Sequence, residues 1–241
     1  MQGASRGGAE TAVAGRVGLV DALLADALRE FDSPAVLDCG GGSGRYAVPL
    51  AADGATVTVV DVSIDALATL RLRAAEAGVA DRVVAVQGDV DTLGEAIGEH
   101  TFDLVLAHGI LEVVESLPQS FAAIAGAVRP GGLLSVLVSN PVAAVLARAL
   151  AGDLAGAERE LTLLDAGPPG PDAVQRLCAE RGLVVEQIHG VGVFRDLVPG
   201  AALDAPGARE ALARVEESCA QRRPFAEIAG RVHLLARRPS G

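Results

Sequence analysis

The chain has 241 residues and a formal net charge of −11, and half of its residues are hydrophobic. This length supports one domain with a substantial core, and no apolar run is long enough for a membrane span. Three widely spaced cysteines exclude a disulfide framework and give no sign of a metal site, while the negative charge puts nucleic acid at a disadvantage as a partner.

Residues 1–15 are small, polar and glycine-rich, without the charged-then-apolar layout of a signal peptide. They predict a flexible tail on a cytoplasmic protein with a single domain over residues 16–241. Within that domain, apolar β-branched runs alternate with helical patterns, which predicts an open, doubly wound α/β sheet. The predicted strands are Ala35–Asp38, Thr56–Asp61, Val83–Gly88, Phe102–His108, Leu133–Ser139, Leu183–Val193 and Val232–Arg237.

Helical patterns lie between and around these strands. The predicted helices are Arg16–Phe31, Arg45–Asp53, Asp65–Ala77, Gln119–Val128, Asp172–Arg181 and Ala208–Gln221. Residues 141–170 form a predicted helical insertion after the fifth strand, at the carboxyl edge of the sheet where such folds bind ligands. The first five strands are nearly continuous apolar runs, typical of parallel strands covered on both faces, whereas the last two predict an antiparallel pair at the edge.

The loop after the first predicted strand has the pattern D-x-G-x-G-x-G, formed by Asp38, Gly40, Gly42 and Gly44. Glycine lets the backbone turn sharply and lets a ligand lie directly against it. The carboxylate of Asp38 suits a positively charged group and repels a pyrophosphate. The segment Gly42–Ala47 also fits the dinucleotide pattern G-x-G-x-x-A, so a site for NAD stays open at this point.

Two further acids end the second and third predicted strands. Asp61 can accept both hydroxyls of a ribose, which suits an adenosyl cofactor or NAD. Asp89 can accept a hydrogen bond from an adenine amino group, and the neighbouring Val90 can pack on the ring. Helix capping is the structural alternative for both acids.

Four side chains are candidates for the reaction itself, and each has a structural alternative. His108 ends the fourth predicted strand and could act as a base or touch the cofactor, or simply pack. Asn140 could contact the acceptor or cap the helix that begins at Pro141. Arg195 could hold an acceptor carboxylate or pair with a nearby acid such as Asp196. His233 could face the acceptor or be packed within its strand.

In this order, the acid–glycine loop, Asp61, Asp89 and the strand ending at His108 resemble the class I S-adenosylmethionine-dependent methyltransferases over residues 35–140. The resemblance implies a single Rossmann-like domain: a seven-stranded, mainly parallel sheet with helices on both faces and an antiparallel edge strand. It also implies S-adenosylmethionine as the cofactor. The cofactor-binding residues that it implies are Asp38, Gly40, Gly41, Gly42, Gly44, Asp61, Val62, Asp89, Val90 and His108.

Later segments are similar to those of bacterial tRNA 5-carboxymethoxyuridine methyltransferases. They are His108–Val114, Ser139–Asn140, Leu150–Leu154, Gly190–Leu197, Cys219–Phe225 and His233–Pro239. This resemblance implies methylation of a carboxylate on the wobble uridine of a tRNA. The acidity of the chain and its lack of lysine depart from that family. A small carboxylate acceptor, another small-molecule O- or N-methylation, an NAD-dependent oxidoreductase and a non-catalytic cofactor-binding protein therefore stay open.

Overall fold

Seven strands form one sheet in the structure, a computed structural model that describes residues 18–164, 167, 169–195 and 197–241. The strands are β1 (Ala35–Cys39), β2 (Thr56–Asp61), β3 (Val83–Gln87), β4 (Phe102–His108), β5 (Val128–Ser139), β6 (Val184–Val191) and β7 (Arg231–Arg237). Their order is β3-β2-β1-β4-β5-β7-β6. β7 is antiparallel to both of its neighbours and every other pair is parallel, which confirms the predicted fold class. β6 is the outermost strand of the antiparallel pair.

The helices that the structure describes cover both faces of this sheet. They are α1 (Leu19–Leu28), α2 (Ala47–Ala52), α3 (Ile64–Glu76), α4 (Leu93–Ile97), α5 (Leu117–Gly126), α6 (Pro141–Leu150), α7 (Leu154–Leu163), α8 (Pro171–Glu180) and α9 (Ala208–Cys219). The predicted tail and the predicted helix start at Arg16 lie outside the described residues. None of the described helices is long and apolar enough to cross a membrane.

Two boundaries differ from the prediction for local reasons. The helix predicted from Arg45 begins at Ala47, because the turn of the glycine loop extends further than the sequence suggests. The fifth strand begins at Val128 rather than Leu133, because Val128 already pairs with Phe102 of β4. The Arg-Pro-Gly-Gly segment at 129–132 therefore lies within β5 and shifts its register against β4.

Alternation along the strands divides the core into two clusters, one on each face of the sheet. Leu37 of β1 and Val136 of β5 lie in the cluster that α5 and α8 cover. Leu106 of β4 and Leu137 of β5 lie in the other cluster, which α1, α2 and α3 cover. Both faces are therefore buried, and ligand access is left to the carboxyl ends of the strands, where the winding reverses between β1 and β4.

Candidate functional site

The acid–glycine loop closes the carboxyl end of β1. Asp38 is only 1% exposed, and the next turn is fixed by a hydrogen bond from the Gly40 amide to the carbonyl of Val60 at 2.8 Å. A Cβ atom on Gly41 would lie 2.4 Å from Oδ2 of Asp38, and one on Gly44 would lie 2.3 Å from Cδ1 of Leu70. Glycine is therefore required at both positions to bring the backbone this close.

Asp61 joins this loop to the end of the neighbouring strand. Its Oδ2 accepts a hydrogen bond from the amide of Gly42 at 2.9 Å, and its Oδ1 accepts one from the amide of Ser63 at 2.8 Å. The Ser63 side chain caps α3 by accepting from the Ala66 amide, so the capping alternative belongs to Ser63. Asp61 thus holds the loops after β1 and β2 together with its carboxylate at the carboxyl edge.

The carboxyl group of Asp38 is electrostatically unsatisfied. Oδ2 is buried and has no hydrogen-bond partner among the described residues. Burial, and to a smaller extent the nearby charge of Asp61, raise the pKa of Asp38 to about 7. A buried acceptor without a donor costs free energy, so this carboxyl group is suited to receive a cationic donor from a ligand.

The loops after β2 and β3 present an exposed acid, Asp89, and an exposed apolar side chain, Val62, which is also among the expected cofactor-binding residues. Oδ1 of Asp89 accepts a hydrogen bond from the Asp91 amide at 2.9 Å, so the capping alternative is present, although the side chain is exposed. Val90 is only 3% exposed and packs in the core. In this conformation the Val90 side chain faces the core, and its contact with adenine stays a prediction. Val62, at 62% exposure, presents the free apolar surface beside Asp61.

His108 lies at the carboxyl end of β4, next to the glycine loop. Its ring meets the ring of Tyr46 edge-on, with 4.6 Å between centroids. Burial, followed by His233, Arg231 and Arg45, lowers the pKa of His108 well below its usual range. The imidazole is therefore neutral near pH 7 and is a weak proton acceptor.

Two residues that were expected to contact the methyl acceptor are hydrogen-bonded within the protein or buried in it. Asn140 caps α6 by accepting from the Val142 amide at 3.2 Å. Its amide group donates to the carbonyls of Glu227 and Ala229 at 2.8 and 2.9 Å, which leaves a structural role in place of the predicted acceptor contact. His233 is fully buried, so its structural alternative, a ring packed within its strand, is present in this structure.

Arg195 keeps an exposed side chain, and none of the carboxylates that the structure describes lies within ion-pair distance of its guanidinium group. Its proposed alternative partner, Asp196, is outside the described residues. The Arg195 backbone amide donates to Oε1 of Glu216 at 2.8 Å, which ties this loop to α9. The structure leaves the guanidinium available to an anionic ligand.

Sequence reasoning missed Arg231 and Glu112. Arg231 starts β7 and pairs with Ser139 at the carboxyl end of β5. Its positive charge helps to lower the pKa of His108. Glu112 accepts from the Ser139 amide at 2.8 Å, and its Oε2 is buried without a partner among the described residues. The position of Arg231 depends on the pairing of β5 with β7, which no local motif indicates.

Comparison with known proteins gives this architecture a family. A model described as a methyltransferase domain matches residues 37–136, from β1 into β5. The ubiquinone biosynthesis O-methyltransferase of Thiobacillus denitrificans is 34% identical over 164 residues, which cover 65% of this chain and 67% of that protein. The chain belongs to the S-adenosylmethionine-dependent methyltransferases. The predicted enzyme class and cofactor are confirmed, and the oxidoreductase and non-catalytic alternatives are set aside.

Two other similarities bear on this methyltransferase. The tRNA 5-carboxymethoxyuridine methyltransferase of Escherichia coli (strain K12) is 27% identical over 210 residues, which cover 85% of this chain and 80% of that protein. The solved structure of magnesium protoporphyrin IX methyltransferase from Synechocystis PCC 6803 with bound SAH has a TM-score of 0.61. At 15% identity, covering 99% of this chain and 90% of that one, it shares the fold.

The residues of this methyltransferase fit S-adenosylmethionine on structural grounds. Oδ2 of Asp38 is buried without a partner among the described residues, which suits a cationic donor. The backbone at Gly41 lies so close to this carboxylate that the glycine loop has no room for a side chain there. A carboxylate beside this loop would repel the pyrophosphate of a dinucleotide. Within the described part of the chain, no group of three or more His, Cys, Asp or Glu side chains could hold a metal ion.

Proposed function

We propose that this methyltransferase methylates a carboxylate oxygen of its acceptor, and that the acceptor is a 5-carboxymethoxyuridine in tRNA. S-adenosylmethionine supplies an electrophilic methyl group on a sulfonium. The protein has to hold the nucleophile in line with that group, and such alignment can contribute about 7–11 kcal/mol in favourable cases. The observation that carries the proposal is that the neutral His108, at the carboxyl end of β4, lies near the exposed and cationic Arg231, which stands beside the carboxyl end of β5.

A carboxylate acceptor explains why a neutral histidine and a nearby arginine would suit this site. A carboxylate is already an anion, and its methylation releases no proton, so no general base is needed. His108, with its lowered pKa, is a poor base for a neutral hydroxyl or amine. Arg231 and Arg195 are exposed cations that can hold the second carboxylate oxygen, and arginine is well shaped for that role.

The tRNA part of the proposal is supported by the extent of the similarity to the tRNA-modifying relative, which covers 80% of that protein. The net charge of −11 opposes nucleic-acid binding at long range. The charge is uneven, however, because arginines outnumber glutamates from Ala208 onward, and Arg231 belongs to that part of the chain. We infer that this part of the surface meets the RNA.

Residues can also be assigned to each part of the cofactor. We propose that Asp38 receives the ammonium group of S-adenosylmethionine, that Gly40, Gly41, Gly42 and Gly44 surround the methionine part, and that Asp61 binds the ribose. Asp89 accepts from adenine and Val62 packs on its ring, while Val90 supports the loop from the core. His108 lies where the cofactor and acceptor meet.

A calorimetric titration tests Asp38 directly. The free protein holds a proton on Asp38 below pH 7, because its pKa is about 7, and the proton must leave before the ammonium group binds. At pH 6 we therefore expect release of about 0.9 proton for each S-adenosylmethionine bound, and at pH 5 apparent affinity about tenfold weaker than at pH 6. Methylthioadenosine, which lacks the ammonium group, is the control. Equal proton release with both ligands would contradict the assignment.

The acceptor is tested by transfer of radiolabelled methyl groups. The labelled cofactor is incubated with tRNA that contains 5-carboxymethoxyuridine, with the same tRNA carrying an unmodified uridine, and with small carboxylic acids. We expect label only in the first sample, and we expect mild alkali to release it because a methyl ester is hydrolysed. Alkali-stable label would contradict carboxylate methylation, and label in the small acids alone would contradict the tRNA acceptor.

Substitution of Arg231 by glutamine should damage use of the acceptor and spare the cofactor. We expect kcat/KM for the acceptor to fall about 10–100-fold, since hydrogen bonds to charged groups contribute about 1.5–3 kcal/mol. Affinity for S-adenosylmethionine should stay the same. Arg82→Gln is the matched control, because Arg82 is exposed and precedes β3 at the opposite edge of the sheet. An equal loss in both variants would remove Arg231 from the acceptor site.

A small apolar acceptor is a second candidate because α6 presents an exposed apolar face. Val142, Leu146 and Leu150 are 43%, 38% and 71% exposed and lie four residues apart, on one side of the helix that follows β5. The similarity to a ubiquinone biosynthesis O-methyltransferase accords with such an acceptor. In the transfer assay, an ether product would carry alkali-stable label.

A further inference from the structure

Three of the four histidines in the sequence lie in one row across the sheet. The row is formed by His108 of β4, Ser135 of β5, His233 of β7 and His189 of β6. Nε2 of His108 lies 2.8 Å from Oγ of Ser135, and the same Oγ lies 2.7 Å from Nε2 of His233. The rings of His233 and His189 follow, with 5.9 Å between centroids. This histidine row connects the cleft to the interior.

The central serine restricts the protons on both neighbouring rings. A hydroxyl group has one hydrogen, so Ser135 can donate to only one of the two Nε2 atoms and must accept from the other. One of His108 and His233 therefore carries its hydrogen on Nε2, and the other carries it on Nδ1. The two rings are obliged to hold complementary tautomers.

Burial makes this restriction strong. Ser135 and His233 are both fully buried, among apolar neighbours such as Leu137 and Leu235. Burial, with a smaller effect of His189, lowers the pKa of His233 to about 3, so the ring is neutral. Nδ1 of His108 is buried and has no partner among the described residues. An unmade hydrogen bond at that atom is costly, which points to a ligand as the missing partner.

We propose that Ser135 and His233 are positioning residues, which fix the tautomer of His108 so that its Nδ1–H donates to the carboxylate of the methyl acceptor. This inference rests on the proposed function. His233 donates from Nε2 to Oγ of Ser135, and Ser135 donates to Nε2 of His108. The hydrogen of His108 is then on Nδ1, where it can hold the acceptor oxygen that does not attack.

The tautomers can be read directly by NMR without any acceptor. Protein with ¹⁵N-labelled histidine is measured by long-range ¹H–¹⁵N correlation, and the signals are assigned with His108→Gln and His233→Gln. We expect His108 to be protonated on Nδ1 and His233 on Nε2. In Ser135→Ala, the ring-nitrogen shifts of both residues should change. The reverse tautomers in the native protein, or unchanged shifts in Ser135→Ala, would overturn the proposal.

Kinetics supply a second measurement with a matched control. Ser135→Ala should lower kcat about 10-fold, as loss of a supporting hydrogen-bond partner commonly does, while affinity for S-adenosylmethionine is kept. Val136→Ala, one residue along β5 and on the opposite face, also loses buried packing but leaves the histidine row intact. It should keep both kcat and the histidine shifts. Equal losses of kcat in the two variants would reduce Ser135 to a structural role.

The role of His233 can be tested with one substitution that keeps a hydrogen-bond donor and one that removes it. Glutamine can present an amide donor near the place of Nε2, so His233→Gln should keep most of kcat, whereas His233→Leu should lose it about 10-fold. Equal activity of the two variants would overturn the role of His233. If the transfer assay finds no methylated carboxylate and these tautomers are found, the carboxylate acceptor and its contact with His108 are lost, while the effect of Ser135 and His233 on the His108 tautomer is kept. If carboxylates are methylated and Ser135→Ala changes nothing, only the positioning role is lost.

Discussion

Replacement of Asp38 by asparagine is expected to raise the Kd for S-adenosylmethionine about 100-fold. Asp38 is 1% exposed and its Oδ2 has no partner among the residues that the structure describes, so the ammonium group of the ligand would be its hydrogen-bond donor and counter-charge. Removal of one member of a buried ion pair costs about 3–5 kcal/mol, and each 1.4 kcal/mol is a factor of about ten in Kd. Isothermal titration calorimetry measures the effect.

The matched control for this change is Asp81→Asn. Asp81 is exposed in the short 3₁₀ helix before β3, at the opposite edge of the sheet. It should bind S-adenosylmethionine as the native protein does. If Asp38→Asn also binds within threefold of the native Kd, the ammonium group is held elsewhere and the cofactor assignment fails.

Substitution of Gly41 by alanine should weaken cofactor binding through the same carboxylate, by at least about 10-fold. The added Cβ would lie 2.4 Å from Oδ2 of Asp38 and 2.9 Å from Cγ1 of Val59. Either the carboxylate or the loop must move, and overpacking of this kind typically costs about 1–3 kcal/mol of folding free energy. A thermal melt measures the loss of stability, and a titration measures the loss of affinity.

Gly94→Ala separates this effect from a general response to alanine. Gly94 lies within α4, and nothing stands within 4 Å of its added Cβ. Alanine should be neutral or stabilise that helix by about 0.5–1 kcal/mol. A Gly41→Ala variant with unchanged stability and affinity would show that the loop adapts and that the close contact with Asp38 is unimportant.

The placement of the acids and glycines at one edge of the sheet could be predicted because its determinants are local in sequence. A strand, an acid and spaced glycines stand together around Asp38, and the acids Asp61 and Asp89 each follow their own strand directly. Parallel pairing then brings the three strand ends to one edge without further information. The burial of the Val90 side chain could not be predicted, because its sequence position gives no sign that it turns into the core.

The acceptor side could not be predicted in the same way. Arg231 and His233 lie beside β5 only because β7 inserts between β5 and β6, and Ser135 looks like one more position in an apolar strand. Asn140 was expected near the acceptor, but a helix cap and two carbonyls more than eighty residues away use its hydrogen-bonding groups. Such long-range pairings leave no periodic signal in the sequence.

The position of β7 between β5 and β6 also affects the order in which parts of the sheet can form. The four strands that carry the loops proposed to bind the cofactor pair with one another within residues 35–108, so their pairing needs no later part of the chain. β5 and β6 meet only through β7, which follows both in sequence. The loops proposed to bind the cofactor can therefore form before Arg231, which is proposed to meet the acceptor, takes its place beside β5.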